Sequence, residues 1–347
     1  MAVGRQVIDT RQNRPRRPLP YDRAITSEPA IPESTESIRV EIADRVATIR
    51  FNRPEKRNAL DRASIRLLSQ IYARLDDDDS VRAMVLTGTG TAFCSGADLS
   101  RPGGAFKAPR DPGAYRSSPP RPLAFQLRKP VIAAINGDAV GLGMTLALHT
   151  DIRIIAGEAR WGVVQARRGV VGDALAHWTL VRSVGTAKAA EILLTGALFS
   201  GDDALRLDVA SRCLPADQVY PAALAMAQDI ARSTSPLSVG LSKRILWRAA
   251  DGDIDEIDEL ESVAHRILMG RPDALEGGRA ALEKRSPVWT SNVRTEWPLD
   301  GPFAAPAPAG APPSGSPPGG SDGPFAAPAP AGAPPSGSPQ AGAAGLG

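Results

Sequence analysis

Residues 131–185, VIAAINGDAVGLGMTLALHTDIRIIAGEARWGVVQARRGVVGDALAHWTLVRSVG, decide how this chain is read. The run VIAAIN (131–136) has the length and β-branched content of a buried strand, and DIRIIA (151–156) repeats it. Between them the glycines around Leu142 make a turn into a helix expected over 142–150, and a second turn follows around 165–173. The order is strand, glycine turn, helix, strand, turn, with acidic or amide side chains at the turns. Backbone N–H groups at such a turn, one of them at a helix start, can hold a carbonyl oxygen while a nearby side chain moves a proton.

Working outward, VATIRF (46–51) and AMVLTG (83–88) also read as buried strands. A helix is expected at 61–76, where Ile65, Leu68, Ile71, Tyr72 and Leu75 fall at helical spacing and Asp61 caps the start. Strands separated by helices imply parallel pairing and an α/β fold. After Gly185 the pattern turns helical, at 186–195, 202–208, 220–233, 236–249 and 254–269. The segment 99–123 carries three Gly and six Pro, which suits a pocket wall or lid and no regular element.

Composition narrows the classes. Both ends lack folding signals: 1–35 reads as a disordered, Arg-rich arm, and 296–347 as a disordered Pro/Ala/Gly tail. The tail holds GPFAAPAPAGAPPSGSP twice, at 301–317 and 323–339, with Phe303 and Phe325 as candidate anchors for a protein partner. What remains, 36–295, is about 260 residues, enough for one large core. It divides into a core at about 36–200 and a helical region at about 201–295. The charge is near balance at +3 with only 5% aromatics, against a nucleic-acid role. No apolar run reaches the roughly 18 residues a membrane span needs, and the Arg-rich arm lacks the apolar h-region of a secretory signal. Cys94 and Cys213 lack metal-ligand spacing and suit a reducing, cytoplasmic compartment.

Two turns could present backbone donors, Ala97 in AFCSGAD (92–98) and Leu142 between Gly141 and Gly143. Their pairing, each just beyond a buried strand, resembles the enoyl-CoA hydratase (crotonase) superfamily. FNRPEKRNAL (51–60), TAFCSGADL (91–99), AINGDAVGLGMTLAL (134–148), LTGALFSGDDALRLDVAS (194–211) and EGGRAALEKRSPVW (276–289) resemble its signatures in order. The resemblance implies a spiral of ββα units with a C-terminal helical trimerisation region, and a homotrimer or hexamer. It implies an acyl-CoA substrate, with CoA arriving as part of that substrate and no separate cofactor or metal. Ala97 and Leu142 would then form the oxyanion hole. Lys56, Arg57, Ala59, Ser95, Gly96, Asp98 and Gly141 would line the substrate and CoA site.

The proton-moving positions depart from the hydratase pattern. The two family glutamates fall at Thr145 and Gln165; a hydroxyl is no base near neutral pH, and an amide orients water without accepting its proton. Asp173 is the replacement carboxylate, at a spacing where dienoyl-CoA isomerases and aryl-CoA dehalogenases carry a functional Asp. ARRGVVGD (166–173) most resembles hydratase-like sequences with Glu there. Asp173 could equally cap a helix at 174–184. His177 would lie one turn further along the same face, while His149 and His265 read as structural. Asp98 and Asp151 look like framework, and Asp138 is a weaker pocket candidate. The leading expectation is a hydratase-like lyase or isomerase with Asp173 and Gln165 as catalytic residues. The alternatives are Asp173 as nucleophile or isomerase base, and a non-catalytic acyl-CoA-binding protein.

Overall fold

The computed structural model of the protein describes residues 37–100, 111 and 115–304. The arm at 1–35, most of the 99–114 segment and the second repeat with Phe325 lie outside the described residues. The strands are β1 (Ile38–Ala43), β2 (Val46–Phe51), β3 (Ala83–Gly88), β4 (Ala92–Cys94), β5 (Val131–Ile135), β6 (Asp138–Val140), β7 (Ile152–Ala156), β8 (Arg160–Gly162), β9 (Phe199–Ser200) and β10 (Arg212–Leu214). The helices are α1 (Arg62–Asp77), α2 (Leu142–Ala147), α3 (Ala176–Thr195), α4 (Gly201–Arg206), α5 (Ala216–Ser233), α6 (Pro236–Ala249), α7 (Ile254–Leu268), α8 (Pro272–Glu283) and α9 (Val293–Glu296).

One sheet has the order β1-β2-β3-β5-β7-β10, and the other β4-β6-β8-β9. In the first, only β1 and β2 pair antiparallel; β2, β3, β5, β7 and β10 run parallel. Every residue of β3 and β5 is buried, as a parallel sheet covered on both faces requires. Each of β3, β5 and β7 is followed after a tight turn by a short strand of the second sheet, β4, β6 and β8. The chain therefore steps repeatedly from one sheet to the other. Each step brings a turn to the same region, which is how the two glycine turns come to be neighbours.

The helix α1 forms where its spacing placed it, with Asp61 Oδ1 accepting from the Ser64 N–H at 2.8 Å. α5 lays Val219, Ala223, Ala227 and Ala231, spaced by four, against the first sheet. Three alanines in that stripe let the helix backbone approach the strands closely. A second apolar cluster joins Leu237, Leu241, Leu260, Ala264, Val293, Trp297 and Phe303.

Two boundaries move. The core does not end near 200: β10 pairs with β7, and α5 belongs to the first apolar cluster. Nor does folded structure stop at 295. Phe303 is 1% exposed and its carbonyl accepts from Trp297 Nε1 at 2.9 Å, so it is a core residue of this chain and no free anchor. Phe303→Ala is expected to cost roughly 3–5 kcal/mol, read as a lowered urea midpoint with unchanged slope.

Three-residue strands such as β4, β6 and β8 show no readable alternation, and their pairing is long-range. α5 starts at Ala216, ahead of the expected 220, and continues through Pro221. α8 contains Gly277 and Gly278 and gave no apolar stripe.

Candidate active site

The strap 53–60 is the first component. Arg57 and Asn58 both adopt left-handed backbone, φ 51° and 58°. That sharp turn is fixed by the buried Asn58 side chain, whose Nδ2 donates to Thr89 O at 3.0 Å and Ala92 O at 2.8 Å. Its Oδ1 accepts from the Arg53 N–H at 2.9 Å. Sequence reading passed over Asn58, although a polar residue that turns out fully buried here ties the strap to the β3–β4 turn. Ser95 N–H donates to Arg57 O at 3.0 Å, and Ser95 Oγ to Lys56 O at 3.3 Å.

Leu60 and Ala97 then form a parallel bridge. Leu60 N–H donates to Gly96 O at 2.8 Å, and Leu60 O accepts from Asp98 N–H at 2.9 Å. These two bonds use the groups on either side of Ala97 and turn its own N–H to the opposite side. Leu142 is the first residue of α2, so its N–H has no intrahelical acceptor.

Gly96 and Gly143 bring these two N–H groups together. Gly96 has φ +102°, and a Cβ built on it would lie 2.7 Å from Val140 O and 3.5 Å from the Leu142 nitrogen. The first turn therefore sits directly against the second, a neighbourhood that a side chain at Gly96 would abolish. A Cβ on Gly143 would lie 2.1 Å from Cys94 O, so α2 packs its backbone on the end of β4. Thr145 is fully buried and its hydroxyl donates back to Leu142 O at 3.0 Å.

Gln165 and Asp173 are brought together as one pair: Gln165 Nε2 donates to Asp173 Oδ1 at 2.8 Å. The pair adjoins the second turn, since a Cβ on Gly141 would meet the Gln165 amide at 3.8–3.9 Å. Burial raises the Asp173 carboxyl above its ordinary value, with the Gln165 hydrogen bond opposing the rise. The capping role for Asp173 is overturned. α3 begins at Ala176, its cap is Leu175 at φ +60° with no side-chain bond, and only the Asp173 carbonyl contributes, to Ala176 N–H at 3.0 Å. His177, on the first turn of α3, is exposed and is not the one-turn neighbour of a helix starting at Asp173. The helices expected at 174–184 and 186–195 form as two helical runs within Ala176–Thr195, separated at Gly185, whose φ of 74° and ψ of 168° are non-helical.

Charged groups rim these turns. Asp98 accepts from Ser100 at 2.6 Å and pairs with Arg53 at 3.0 Å and Lys56 at 3.4 Å. These bonds, Ser100's first, hold its carboxyl far below the usual carboxylate range. Asp138 pairs with Arg57 and with Arg160, the latter at 2.7 Å. Burial works against its ionised form, yet the arginines outweigh burial and its carboxyl also stays low. Arg57 and Arg160 share one carboxylate and are 55% and 61% exposed, so the rim keeps surplus positive charge toward solvent. Ala59 is buried, its carbonyl taken by Arg53 Nη1 at 3.0 Å.

The remaining candidates are framework. His149 is buried, its Nε2–H donates to Ala174 O at 2.6 Å, and burial pushes it down to about 4. His265 is exposed and bonds Glu261 O at 2.9 Å. Asp151 accepts from Val131 N–H and Trp247 Nε1, both at 2.7 Å. Burial pushes the Cys94 thiol up to about 12. The described end of the proline-rich segment packs beside the pair, with Ala174 N–H donating to Ser117 O at 3.1 Å and Ser69 Oγ to Pro120 O at 2.7 Å. Among the described residues no cluster of His, Cys, Asp or Glu is arranged to hold a metal, and no helix is long and apolar enough to cross a membrane.

Known proteins place this arrangement. The profile of the enoyl-CoA hydratase/isomerase family matches residues 41–292, and the chain belongs to that family. It is 36% identical over 255 residues to the enoyl-CoA hydratase ACTT3 of Alternaria alternata, covering 73% of this chain and 86% of that one. It is 33% identical over 263 residues to the (E)-benzylidenesuccinyl-CoA hydratase of Thauera aromatica, covering 73% and 98%. Among solved structures, a probable enoyl-CoA hydratase/isomerase from Mycobacterium abscessus superposes with a TM-score of 0.71 at 50% identity, over 74% of this chain and 99% of that one. The α/β fold is thus the crotonase-type fold.

Proposed function

We propose that this protein acts on an acyl-CoA thioester as a hydratase- or isomerase-type lyase, through an enolate held on backbone N–H groups. The observation that supports the reading is the contact of the two turns, Gly96 against Val140 O and the Leu142 nitrogen, with the Gln165–Asp173 pair against Gly141. Two such donors stabilise charge that develops on the thioester oxygen when the α-carbon gains electron density. Among the described residues, Asp173 is the one carboxylate whose affinity for a proton is raised, as suits a general base. Thr145 and Gln165, at the positions of the two family glutamates, leave Asp173 to move the proton.

Lys56 and Arg57, with Arg160 added by the fold, suit the CoA phosphates, and Ala59, Ser95, Gly96, Asp98 and Gly141 shape the channel between them and the oxygen site. No metal or redox group enters this scheme; CoA comes with the substrate. A homotrimer or hexamer and a cytoplasmic location fit the family and belong to the same proposal.

Loss of crotonyl-CoA absorbance, followed beside a panel of longer 2-enoyl-CoA esters, tests the reading. Saturable turnover supports it, and binding without turnover of any ester favours a non-catalytic acyl-CoA-binding protein. Gly96→Ala is expected to lower kcat about a hundredfold, the scale of one lost oxyanion donor, because its Cβ forces the two turns apart. Separate kcat and KM values, with a melting curve, check this.

A further inference from the structure

Arg39 and Arg50 are direct partners across the antiparallel pair β1 and β2. Residues so opposed carry their Cβ atoms about 5 Å apart on one face of the sheet, and like charges placed there repel. Among the described residues neither guanidinium makes an ion pair or a side-chain hydrogen bond. Glu41, two positions along β1 on the same face, pairs with neither. Arg50 is nonetheless held in place. Its guanidinium lies 4.1 Å from the centre of the Tyr220 ring, and the Tyr220 hydroxyl bonds Thr48 Oγ1 at 3.2 Å. Stacking fixes the plane of the guanidinium and leaves the N–H groups around its edge unused.

Both arginines line one cleft of about 510 Å³, together with Thr87–Gly90, Asn136 and Tyr220. Asp217 is the one carboxylate on that lining, so the cations outnumber it. The other polar side chains are engaged within the protein: Asn136 Oδ1 accepts from the Gly88 N–H at 3.1 Å, its Nδ2 donates to Gly90 O at 2.9 Å, and Thr89 Oγ1 donates to Asn52 Oδ1 at 3.2 Å. The two arginines are the side-chain donors left over.

We infer that this cleft is a binding site for a diphosphate group. A carboxylate or a single phosphate fills one guanidinium fork, whereas a diphosphate offers oxygens to both and carries charge to offset both. The group arrives as free pyrophosphate or on a nucleoside diphosphate, since the two present the same oxygens. The site is separate from the rim of Lys56, Arg57 and Arg160, none of which lines the cleft, and it does not depend on the acyl-CoA reading.

Pyrophosphate and ADP, titrated separately into the full-length protein by calorimetry, test this. Saturable binding of pyrophosphate is expected, weakening as salt is raised. Arg39→Gln and Arg50→Gln should each weaken it about tenfold, the scale of one hydrogen bond to a charged group. Arg57→Gln/Arg160→Gln should bind pyrophosphate as the wild type does. Tighter binding of ADP identifies a nucleotide as the source of the group, and binding of ADP no tighter than pyrophosphate identifies the free anion. Without ligand, Arg39→Gln should unfold in urea at or above the wild-type midpoint, because the repulsion is gone. Pyrophosphate should then raise the wild-type midpoint and leave that of Arg39→Gln/Arg50→Gln where it was. Failure of both probes to bind, undiminished binding in the Arg39→Gln/Arg50→Gln variant, or loss only in the rim variant overturns the inference. So does a lowered midpoint in ligand-free Arg39→Gln, which would make that arginine a support for the fold.

Discussion

Replacing Asp173 with asparagine is expected to lower kcat for 2-enoyl-CoA hydration by a hundredfold or more, the lower end of what a general base contributes. Asparagine keeps the volume and can still accept from Gln165 Nε2, so the pair's geometry survives while its proton acceptor is lost. The pH profile carries the same information. Because burial raises the Asp173 carboxyl, the acid limb of kcat/KM in the wild type should lie above the ordinary Asp value of about 3.9. The residual activity of Asp173→Asn should lack that limb. Stability should move the other way. A carboxyl whose folded-state affinity for a proton is raised contributes fully below its unfolded-chain value, and that contribution is lost as pH rises through the raised value. Asparagine avoids the loss, so the variant should melt at or above wild type near pH 7. A melting point well below wild type would mean that the ionised carboxylate holds the fold together, contrary to this account.

Lys243→Met is expected to destabilise the fold by roughly 3–5 kcal/mol, because it leaves a buried carboxylate without its paired ammonium. Lys243 is 4% and Asp151 9% exposed by side chain, and they pair at 2.6 Å. The other Lys243 hydrogens go to Ala124 O and Lys129 O, both at 2.8 Å, so all three donors are used. Burial lowers the ammonium's affinity for its proton and Asp151 opposes that, which makes each charge depend on the other. The pair also joins α6 to the start of β5 and therefore links the second apolar cluster to the sheet that carries the site. Urea unfolding checks the size of the loss. The double variant Lys243→Met/Asp151→Asn should recover part of it, since the stranded charge is gone; no recovery would show that packing of the lysine stem accounts for the cost.

Sequence reading placed α1 and the four strands β2, β3, β5 and β7 within one residue at either end. These elements are written in local terms: apolar runs covered on both faces, helical spacing, and an Asp at the cap. It also found both glycine turns, because a turn that must bring backbone close to backbone has few residues to choose from. Its second reading of Asp173, as a helix cap beside the catalytic one, does not hold. Asp before a helix is a strong local preference, but α3 begins two residues later than that preference suggests, and a partner eight residues upstream, Gln165, claims the side chain. Asn58 and Arg160 went unread for the same reason: their partners are distant in sequence.

The residue types, their order and the two turns are local properties, and from them the fold class could be read without coordinates. Three relations are not local: the contact of Gly96 with the Leu142 turn, the pairing of Gln165 with Asp173, and the burial of Phe303. Each depends on where the repeated crossing between two sheets delivers a side chain, or on which apolar face remains uncovered after the helices pack. A single chain position carries no record of its distant neighbour, because the free energy that selects the pair is released only when solvent leaves both at once.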